Sequence, residues 1–247
     1  MGKFVLQNVR LFVAGADLTT VNNQLEIKAE AEVKDATPFV ATGDAWTEVL
    51  AGLRSVEASG EGQWEAGDLG KVDDVSFGDL GSLTPWTACP ATAAVSSLAW
   101  MFNTLRTSYE LGGDIGEVAP WKVSGKGSGA LVRGVIAHPP GTARTASGTG
   151  TSIQLGAVTS AQALYVGLHV NSVAGTTPLL TARVESDNAT GFPSAATVGT
   201  FTAANAIGGQ WLRIPGPITD DWFRAAWTIS GTTPSFLFTM SLGIGPL

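Results

Sequence analysis

The feature that most constrains the fold of this chain is a ten-residue alternation at residues 24–33, QLEIKAEAEV. Every second residue is apolar from residue 25 to residue 33, and a period of two over this length predicts a β-strand with one buried and one wet face. The pattern by itself favours a solvated sheet face. Its polar residues are Gln24, Glu26, Lys28, Glu30 and Glu32.

The rest of the chain also predicts a mainly β protein, a sandwich or barrel with a β-rich C-terminal half. There are 31 glycines in 247 residues, and turn signals separate short apolar segments at close intervals. In the C-terminal half these segments are 162–173, 178–187, 198–203, 210–214, 222–230 and 235–243. The Pro/Gly/Ser/Thr-rich stretch 139–152 predicts a boundary between domains 1–140 and 151–247. One continuous enlarged β-domain is the alternative.

Three other regions carry local predictions. Apolar residues in steps of three and four predict one flanking α-helix over about 91–110, ended by two glycines. Residues 35–53 are typical of a loop followed by a short helical turn, with Asp44 as its N-cap. Residues 65–90, rich in acid and glycine, indicate irregular structure, and the spacing of their aspartates does not match a calcium loop.

Charge is distributed unevenly along the chain. The net charge is −7 overall, with −8 in residues 1–90 and +1 in residues 91–247. Binding to a phosphate backbone requires clustered Lys and Arg, so the acidic first third argues against a nucleic-acid-binding surface. It is compatible with a protein that lets nucleic acid pass without binding it.

The residues that carry enzymatic chemistry are sparse. There is one cysteine, Cys89, and there are two histidines, His138 and His169. No nucleophile–base pair, phosphate loop or metal-ligand spacing accompanies them. The sequence therefore predicts no enzyme, with no catalytic residue, no metal site and no cofactor. The first residues lack a signal-peptide pattern, which predicts a protein made and used without secretion and without a membrane partner.

The aromatic stretch TDDWFRAAWTISG, residues 219–231, predicts a strand with two unlike faces. Phe223, Ala225 and Trp227 share an apolar face that belongs in a core. Trp222 and Arg224 share the other face, which suits a subunit interface, with Asp220 or Asp221 within reach of Arg224. The two tryptophans lie on opposite faces, which weakens a sugar-stacking platform. A carbohydrate- or surface-binding module nevertheless stays an alternative.

Several stretches occur together in an order that resembles the tail tube (major tail) proteins of tailed bacteriophages, siphophage proteins in particular. They are WTEVLAGL with VEASGEGQWEAG (46–67), TSYELGGDIGEVAPWKVSGKGSGALVRGVIAH (107–138) and DDWFRAAWTISGTTPSFLFTMSLGIG (220–245). The resemblance covers most of the chain. The order of the stretches carries it, since no single motif is catalytic or specific.

The resemblance implies a structural virion protein whose rings, usually hexameric, stack into a tube for DNA delivery. The protein would assemble with itself and other tail proteins in the host cytoplasm and reside in the virion tail. The polar face of 24–33 would line the lumen, where acidic residues repel passing DNA. Residues 35–53 would meet the next ring or subunit, through Pro38, Phe39, Asp44 and Trp46. Trimers of two-domain subunits, or a connector or distal ring of the same tail, are alternatives.

Overall fold

The computed structural model describes residues 8–37, 47–67 and 70–247, and it confirms the mainly β class. Its strands form one branched sheet with open ends. The strands are β1 Arg10–Val13, β2 Ala16–Asp17, β3 Asn22–Asp35, β4 Val49–Gln63, β5 Leu83–Cys89, β6 Leu98–Leu111, β7 Pro120–Gly127, β8 Val132–His138, β9 Gly148–Thr149, β10 Ile153–Gln154, β11 Gln162–Asp187, β12 Ala196–Thr200, β13 Gly208–Pro215 and β14 Trp222–Pro246, and the helix α1 is Val72–Gly78.

The N-terminal strands form a curved antiparallel sheet in the order β3-β4-β7-β6-β5-β1. Side chains from β1, β4, β5, β6 and β7 form one buried cluster, the N-terminal cluster, on one face of this sheet. Helix α1 covers this cluster: Val72 belongs to it, and the buried Ser76 accepts a hydrogen bond from the indole of Trp121 at 3.0 Å. In the described residues β1 and β3 do not pair with each other, so the sheet does not close into a barrel.

The helix predicted over about 91–110 is wrong, because Leu98–Leu111 forms strand β6. β6 pairs with β5, β7 and β8 within the sheet, and the consecutive residues of its first half pack on both faces. Met101 and Phe102, both fully buried, belong to different clusters on opposite sides of the sheet. A strand buried on both faces produces an almost continuous apolar run, which contains helix-like spacings by chance.

Two other local predictions are also wrong. The helical turn expected near residues 47–53 is part of strand β4, and its proposed cap Asp44 lies outside the described residues. The irregular region 65–90 contains α1 and β5. Asp73 and Asp74 occupy the first turn of α1, where negative charge complements the helix dipole. These two acidic residues therefore belong to the start of a helix and not to a loop.

The C-terminal half is organised by one long ribbon, in which β11 and β14 pair antiparallel from end to end. Each strand bends once, at the same four-residue sequence: Gly175–Pro178 in β11 and Gly231–Pro234 in β14 are both GTTP. Thr176 pairs with Thr232, so the two bends lie opposite each other. The sequence prediction ends a strand at each of these positions and does not include the repeat, whereas β11 and β14 each run through it.

The bends fold the ribbon into two layers related by approximate two-fold symmetry. In the first layer the order is β8, the second half of β14 (residues 235–246), the first half of β11 (residues 162–174) and β13. In the second layer the order is β12, the second half of β11 (residues 179–187) and the first half of β14 (residues 222–230), which pairs with both β9 and β10. Buried side chains of both layers form a single cluster, as in a sandwich. Because β8 also pairs with β6, the hydrogen-bonded sheet runs on into the N-terminal half. The division into domains 1–140 and 151–247 remains a prediction.

Candidate assembly surfaces

The five polar residues predicted to line a lumen lie along one face of β3. Gln24, Glu26, Lys28, Glu30 and Glu32 are all exposed. Lys28 and Glu30 form an ion pair at 2.7 Å, and the hydrogen bond to Glu30 raises the pKa of Lys28. The structure therefore gathers these residues on a single solvated surface, the polar face. Their position in a lumen remains a prediction.

The polar face continues across β4 and β7, because residues in register share a face of a sheet. Glu61 of β4 pairs with Lys122 of β7 at 2.9 Å, and Glu57 pairs with Lys126 at 3.6 Å. The hydrogen bond to Glu61 raises the pKa of Lys122. The polar face is thus a ladder of alternating glutamates and lysines. Its acidity is milder than the sequence of β3 alone suggested.

The opposite, apolar face of β3 changes its environment along the strand. Leu25 and Ile27 pack against the N-terminal cluster. From Ala29 onward every residue of β3 is exposed, as is the facing end of β4 except the half-buried Gly52. We call this projecting ribbon, residues 29–35 and 49–54, the arm. Its exposed fractions are 68% for Val33, 59% for Val49, 65% for Leu50 and 83% for Leu53.

The loop residues predicted to contact another ring or subunit, Pro38, Phe39, Asp44 and Trp46, lie outside the described residues. The ends of this loop are held together at the tip of the arm. Ala36 N–H donates to the carbonyl of Glu48 at 2.8 Å, and Glu48 N–H donates to Thr37 Oγ1 at 3.0 Å. Hydrogen bonds from Thr37 lower the pKa of Asp35.

A groove of about 420 Å³ opens where the edges of the curved sheet, β1 and β3, approach without pairing. We call it the seam groove. Its apolar lining includes Leu11, Leu25, Ile27, Trp100 and Leu131, and the amides of Asn22, Asn23 and Gln24 lie along its β3 side. The free thiol of Cys89 also lines it, but burial raises the pKa of this thiol to about 12. Apolar lining and an open mouth make this groove suited to receive apolar side chains.

The two residues predicted at a subunit interface, Trp222 and Arg224, lie at the start of β14 and are partly buried. The guanidinium of Arg224 bonds to Glu185 through both Nε and NH2 at 2.8 Å, and its carbon lies 4.2 Å from the ring centroid of Phe192. The partner of Arg224 is thus Glu185 rather than the predicted Asp220 or Asp221. Glu185 also bonds to Arg183 at 2.9 Å.

The predicted core face of this strand is confirmed. Trp227 is 4% exposed and donates to the carbonyl of Ala146 at 3.0 Å. Its ring stands edge-on to His138, with centroids 4.9 Å apart, and the guanidinium carbon of Arg144 lies 5.2 Å from its centroid. With Trp227 enclosed in this way, the tryptophans do not form an exposed stacking platform.

Two polar groups are buried in the core: His169, which the sequence favours as a structural histidine, and Arg106, which the sequence analysis did not single out. His169 accepts from Gly15 N–H at 3.4 Å and contacts Thr87 Oγ1 at 2.9 Å, so it ties the N-terminal sheet to β11. Arg106 is 1% exposed, lies over Trp86 and has no hydrogen-bond partner for its side-chain nitrogens in the described residues. Burial lowers the pKa of Arg106 to about 10, and only the proximity of Asp79 counteracts this.

Within 8–37, 47–67 and 70–247, no group of three or more His, Cys, Asp or Glu side chains is arranged to hold a metal ion. In the same residues, no helix is both long and apolar enough to span a membrane.

Comparison with known proteins adds a limited likeness to viral structural proteins. No family model matches the chain, and no curated protein sequence matches it significantly. Among solved structures, the chain is similar to a protein in the tail of a gene transfer agent particle solved with C6 symmetry, at 23% identity and a TM-score of 0.40. That match covers 50% of this chain and 94% of the other. A chain in the native virion of such a particle matches with the same values.

The SPP1 Dit protein, described as a hub of the adsorption apparatus in phages that infect Gram-positive bacteria, is also similar. Here the identity is 10% and the TM-score 0.36, covering 97% of this chain and all of the other. At these values the likenesses assign neither a function nor a partner to this chain.

Proposed function

We propose that the protein is a structural subunit of a phage-type tail, which assembles with copies of itself into rings that stack into the tail tube. The arm carries this proposal. It places four large apolar side chains, each 59–83% exposed, on a ribbon that projects from the folded body. Exposed apolar surface of this kind marks a protein contact in a soluble protein. The ordered resemblance of the sequence to tail tube proteins supports the same assignment.

The unpaired edge of β3 adds a second argument for self-assembly. β3 has 14 residues, and in the described residues it pairs only with β4. Between the two register shifts of its ladder with β4, β3 runs regularly from Gln24 to Ala31, and a long free edge of this kind favours pairing with another chain. Joining the N-terminal sheets of neighbouring subunits would use this edge and would present the polar face to a shared interior.

The composition of the polar face suits a conduit for DNA. Its lysines are neutralised by glutamates at 2.7–3.6 Å, which leaves no cluster of cations that would hold phosphates. Passing DNA would therefore meet a hydrated surface with little net attraction. The proposed lumen-facing residues are the five predicted from sequence.

Electron microscopy of the concentrated protein, and of particles that contain it, tests the proposal. Rings or hollow tubes are expected, and the chain should be among the most abundant virion proteins. One ring per particle would instead indicate a connector or distal ring. A protein that stays monomeric at high concentration and forms no ring in the particle would contradict the proposal.

The predicted interface residue Trp222 offers a narrower test. Trp222→Ala is expected to leave a folded monomer that assembles poorly, because the side chain is partly exposed and Trp is favoured at interfaces. Sedimentation of assembled material, beside circular dichroism of the monomer, separates an assembly defect from a folding defect. Normal assembly of this variant would remove Trp222 from the interface.

A further inference from the structure

We propose that residues 3–7 extend β1 into the seam groove of their own subunit and cover the edge of β3 before assembly. These residues, KFVLQ, precede the described part of the chain, which begins at Asn8. The docking itself is intramolecular and stands apart from the proposed function, whereas its effect on assembly rests on that function.

The described chain begins beside the seam groove. Val9 and Leu11 line the groove on its β1 side. Its β3 side runs from Asn22 to Ala29. Leu18 joins the two sides at one end: its N–H donates to the carbonyl of Leu11 at 2.9 Å, and its carbonyl accepts from Asn22 N–H at 3.1 Å. From this end the β1 side stops at Val9 and the β3 side continues to Ala29, so one wall of the groove is shorter than the other.

The strand order sets the direction in which the preceding residues leave. Each neighbouring pair in the order β3-β4-β7-β6-β5-β1 is antiparallel, so the first and the sixth strand run in opposite directions. The chain before Val9 therefore heads the same way as β3 does after Asn22. Residues that continue β1 backwards would lie alongside β3 and supply the missing part of the shorter wall.

The segment is long enough to cover this part of β3. At about 3.3 Å per residue, an extended chain from Val9 back to Lys3 spans about 20 Å. The facing stretch of β3 from Gln24 to Ala29 spans about 17 Å on the same basis. Residues 3–8 are therefore sufficient to reach the level of Ala29 along the groove.

The composition of the segment matches the lining of the groove. Residues 4–6 are apolar, FVL, and the groove presents Leu25 and Ile27. Val9 lines the groove, and side chains alternate along a strand, so a period of two places Val5 on the groove side as well. Val5 would then remove apolar surface of β3 from water, which stabilises the docked segment.

The free edge of β3 offers hydrogen bonds to such a segment. In the described residues β3 pairs only with β4, in regular register from Gln24 to Ala31. The N–H and carbonyl groups on its other edge are therefore open to an added strand, which an extended peptide supplies. Covalent attachment raises the effective concentration of the segment to the millimolar range, so the segment of the same subunit is favoured over that of another copy.

A docked segment would cover a surface that self-assembly uses. Neighbouring subunits are proposed to pair through the edge of β3, and this edge becomes available only when the segment leaves it. The segment would therefore slow the association of free subunits and protect the edge from unspecific pairing. A strand of the neighbouring subunit would replace it during assembly.

Chemical cross-linking tests the docking in the unassembled protein. Val5→Cys and Ala29→Cys are combined in one chain, and Cys89→Ala is added because the native thiol lines the groove. Treatment of the dilute protein with a short bis-maleimide is expected to join the two new cysteines within one chain, which peptide mass spectrometry detects. In the control, Ile115→Cys, an exposed position outside the groove lining, replaces Ala29→Cys and is expected to give no cross-link.

Hydrogen exchange tests whether the segment protects β3. Phe4→Ser, Val5→Ser and Leu6→Ser in one chain keep its length and charge and remove the apolar side chains. The β3 amides along the groove are expected to exchange about tenfold faster or more in this variant, because they lose a protecting strand. Amides of β12, residues 196–200, are the internal reference and should exchange as in wild type. Circular dichroism shows whether the variant is folded.

Light scattering of the same triple variant measures the effect on assembly. The lag before rings or tubes form is expected to shorten severalfold relative to wild type, because the edge of β3 no longer has to be uncovered. An unchanged lag in a folded variant would overturn the claim that the segment keeps this edge from a neighbour.

The outcomes separate this inference from the proposed function. Cross-linking no higher than in the control, or unchanged exchange of β3 in the folded variant, would overturn the docking and leave the tail role standing. Cross-links found only between differently tagged copies would place the segment in a neighbour's groove and would also overturn it. A protein that shows the cross-link and the protection but never forms rings would contradict the proposed function and leave the docking standing.

Discussion

Gly175 of β11 and Gly231 of β14 each lie against the backbone of the opposite strand, at the centre of the β11–β14 ribbon. Each has a left-handed φ, +112° and +122°. A Cβ on Gly175 would lie 2.7 Å from the carbonyl oxygen of Thr233, and a Cβ on Gly231 would lie 2.8 Å from that of Thr177. The two bends therefore use the same geometry twice, and glycine is required in both because backbone occupies the space of a side chain.

Gly175→Ala is expected to destabilise the protein by about 2 kcal/mol or more, because it combines a backbone clash with an unfavourable φ. Urea unfolding followed by tryptophan fluorescence measures the change. Gly191→Ala is the control, since nothing lies within 4 Å of its added Cβ. Equal stability of the two variants would mean that the bend relaxes easily.

Trp227→Ala is expected to cost about 3–5 kcal/mol of folding free energy, the usual range for removing a large buried aromatic side chain. The change leaves a cavity beside His138 and Phe238 and removes the hydrogen bond to Ala146. Thermal unfolding measures the loss. Trp222→Ala, at a partly exposed position, should cost clearly less, and a similar cost for both would contradict the assignment of their faces.

Arg224→Ala is expected to destabilise the monomer by about 1–3 kcal/mol, because Glu185 is almost fully buried and would lose one of two cationic partners. A double-mutant cycle with Glu185→Gln measures the coupling between the two side chains. A coupling energy near zero, together with an assembly defect in folded Arg224→Ala, would instead support the subunit-interface role that the sequence predicts for Arg224.

The stability of the protein should fall as pH drops from about 6.5 toward 4. His138 is buried and neutral: its Nδ1–H donates to the carbonyl of Phe238 at 2.9 Å, and its Nε2 accepts from Arg144 at 3.0 Å. Burial lowers the pKa of His138 to about 4. The unfolded chain therefore binds a proton at a higher pH than the folded chain does, and stability is fully present only above the unfolded value.

Unfolding free energies of wild type and His138→Gln between pH 4 and pH 7 measure this effect. The variant should show a shallower decline, because one of the groups that gain a proton on unfolding is gone. Burial also lowers the pKa of His169, to about 3, so a residual decline is expected in the variant. Parallel curves for the two proteins would show that His138 does not contribute.

Local sequence patterns predicted the strands that have one face packed on the core and the other face in solvent. The alternation at 24–33 predicted β3, and the alternation at 222–229 separated the buried Trp227 from the partly exposed Trp222. In these segments one face meets the core and the other meets solvent, at least along part of the strand. Periodicity then reports burial directly.

The same reasoning failed where a strand has neighbours on both sides or where residues far apart in the chain meet. The first half of β6 is packed on both faces, so its apolar run imitates the spacing of a helix. The pairing of Arg224 with Glu185 joins residues 39 apart, whereas the sequence favours the nearer Asp220 or Asp221. The seam groove combines residues from β1, β3 and β6, which no single segment of the sequence contains.

The sequence by itself determined the mainly β class and the faces of the best-patterned strands, since these depend on local periodicity. Only the tertiary structure showed why glycine is needed at the two GTTP bends, because backbone of the opposite strand occupies the space of a side chain there. Only the tertiary structure decided that β3 leaves the folded body after Ile27, so that one alternating pattern has a buried half and an exposed half. An apolar residue has the same chemistry in both halves. What differs is whether another part of the chain reaches it, and that depends on how the sheet curves and where its edges come to lie.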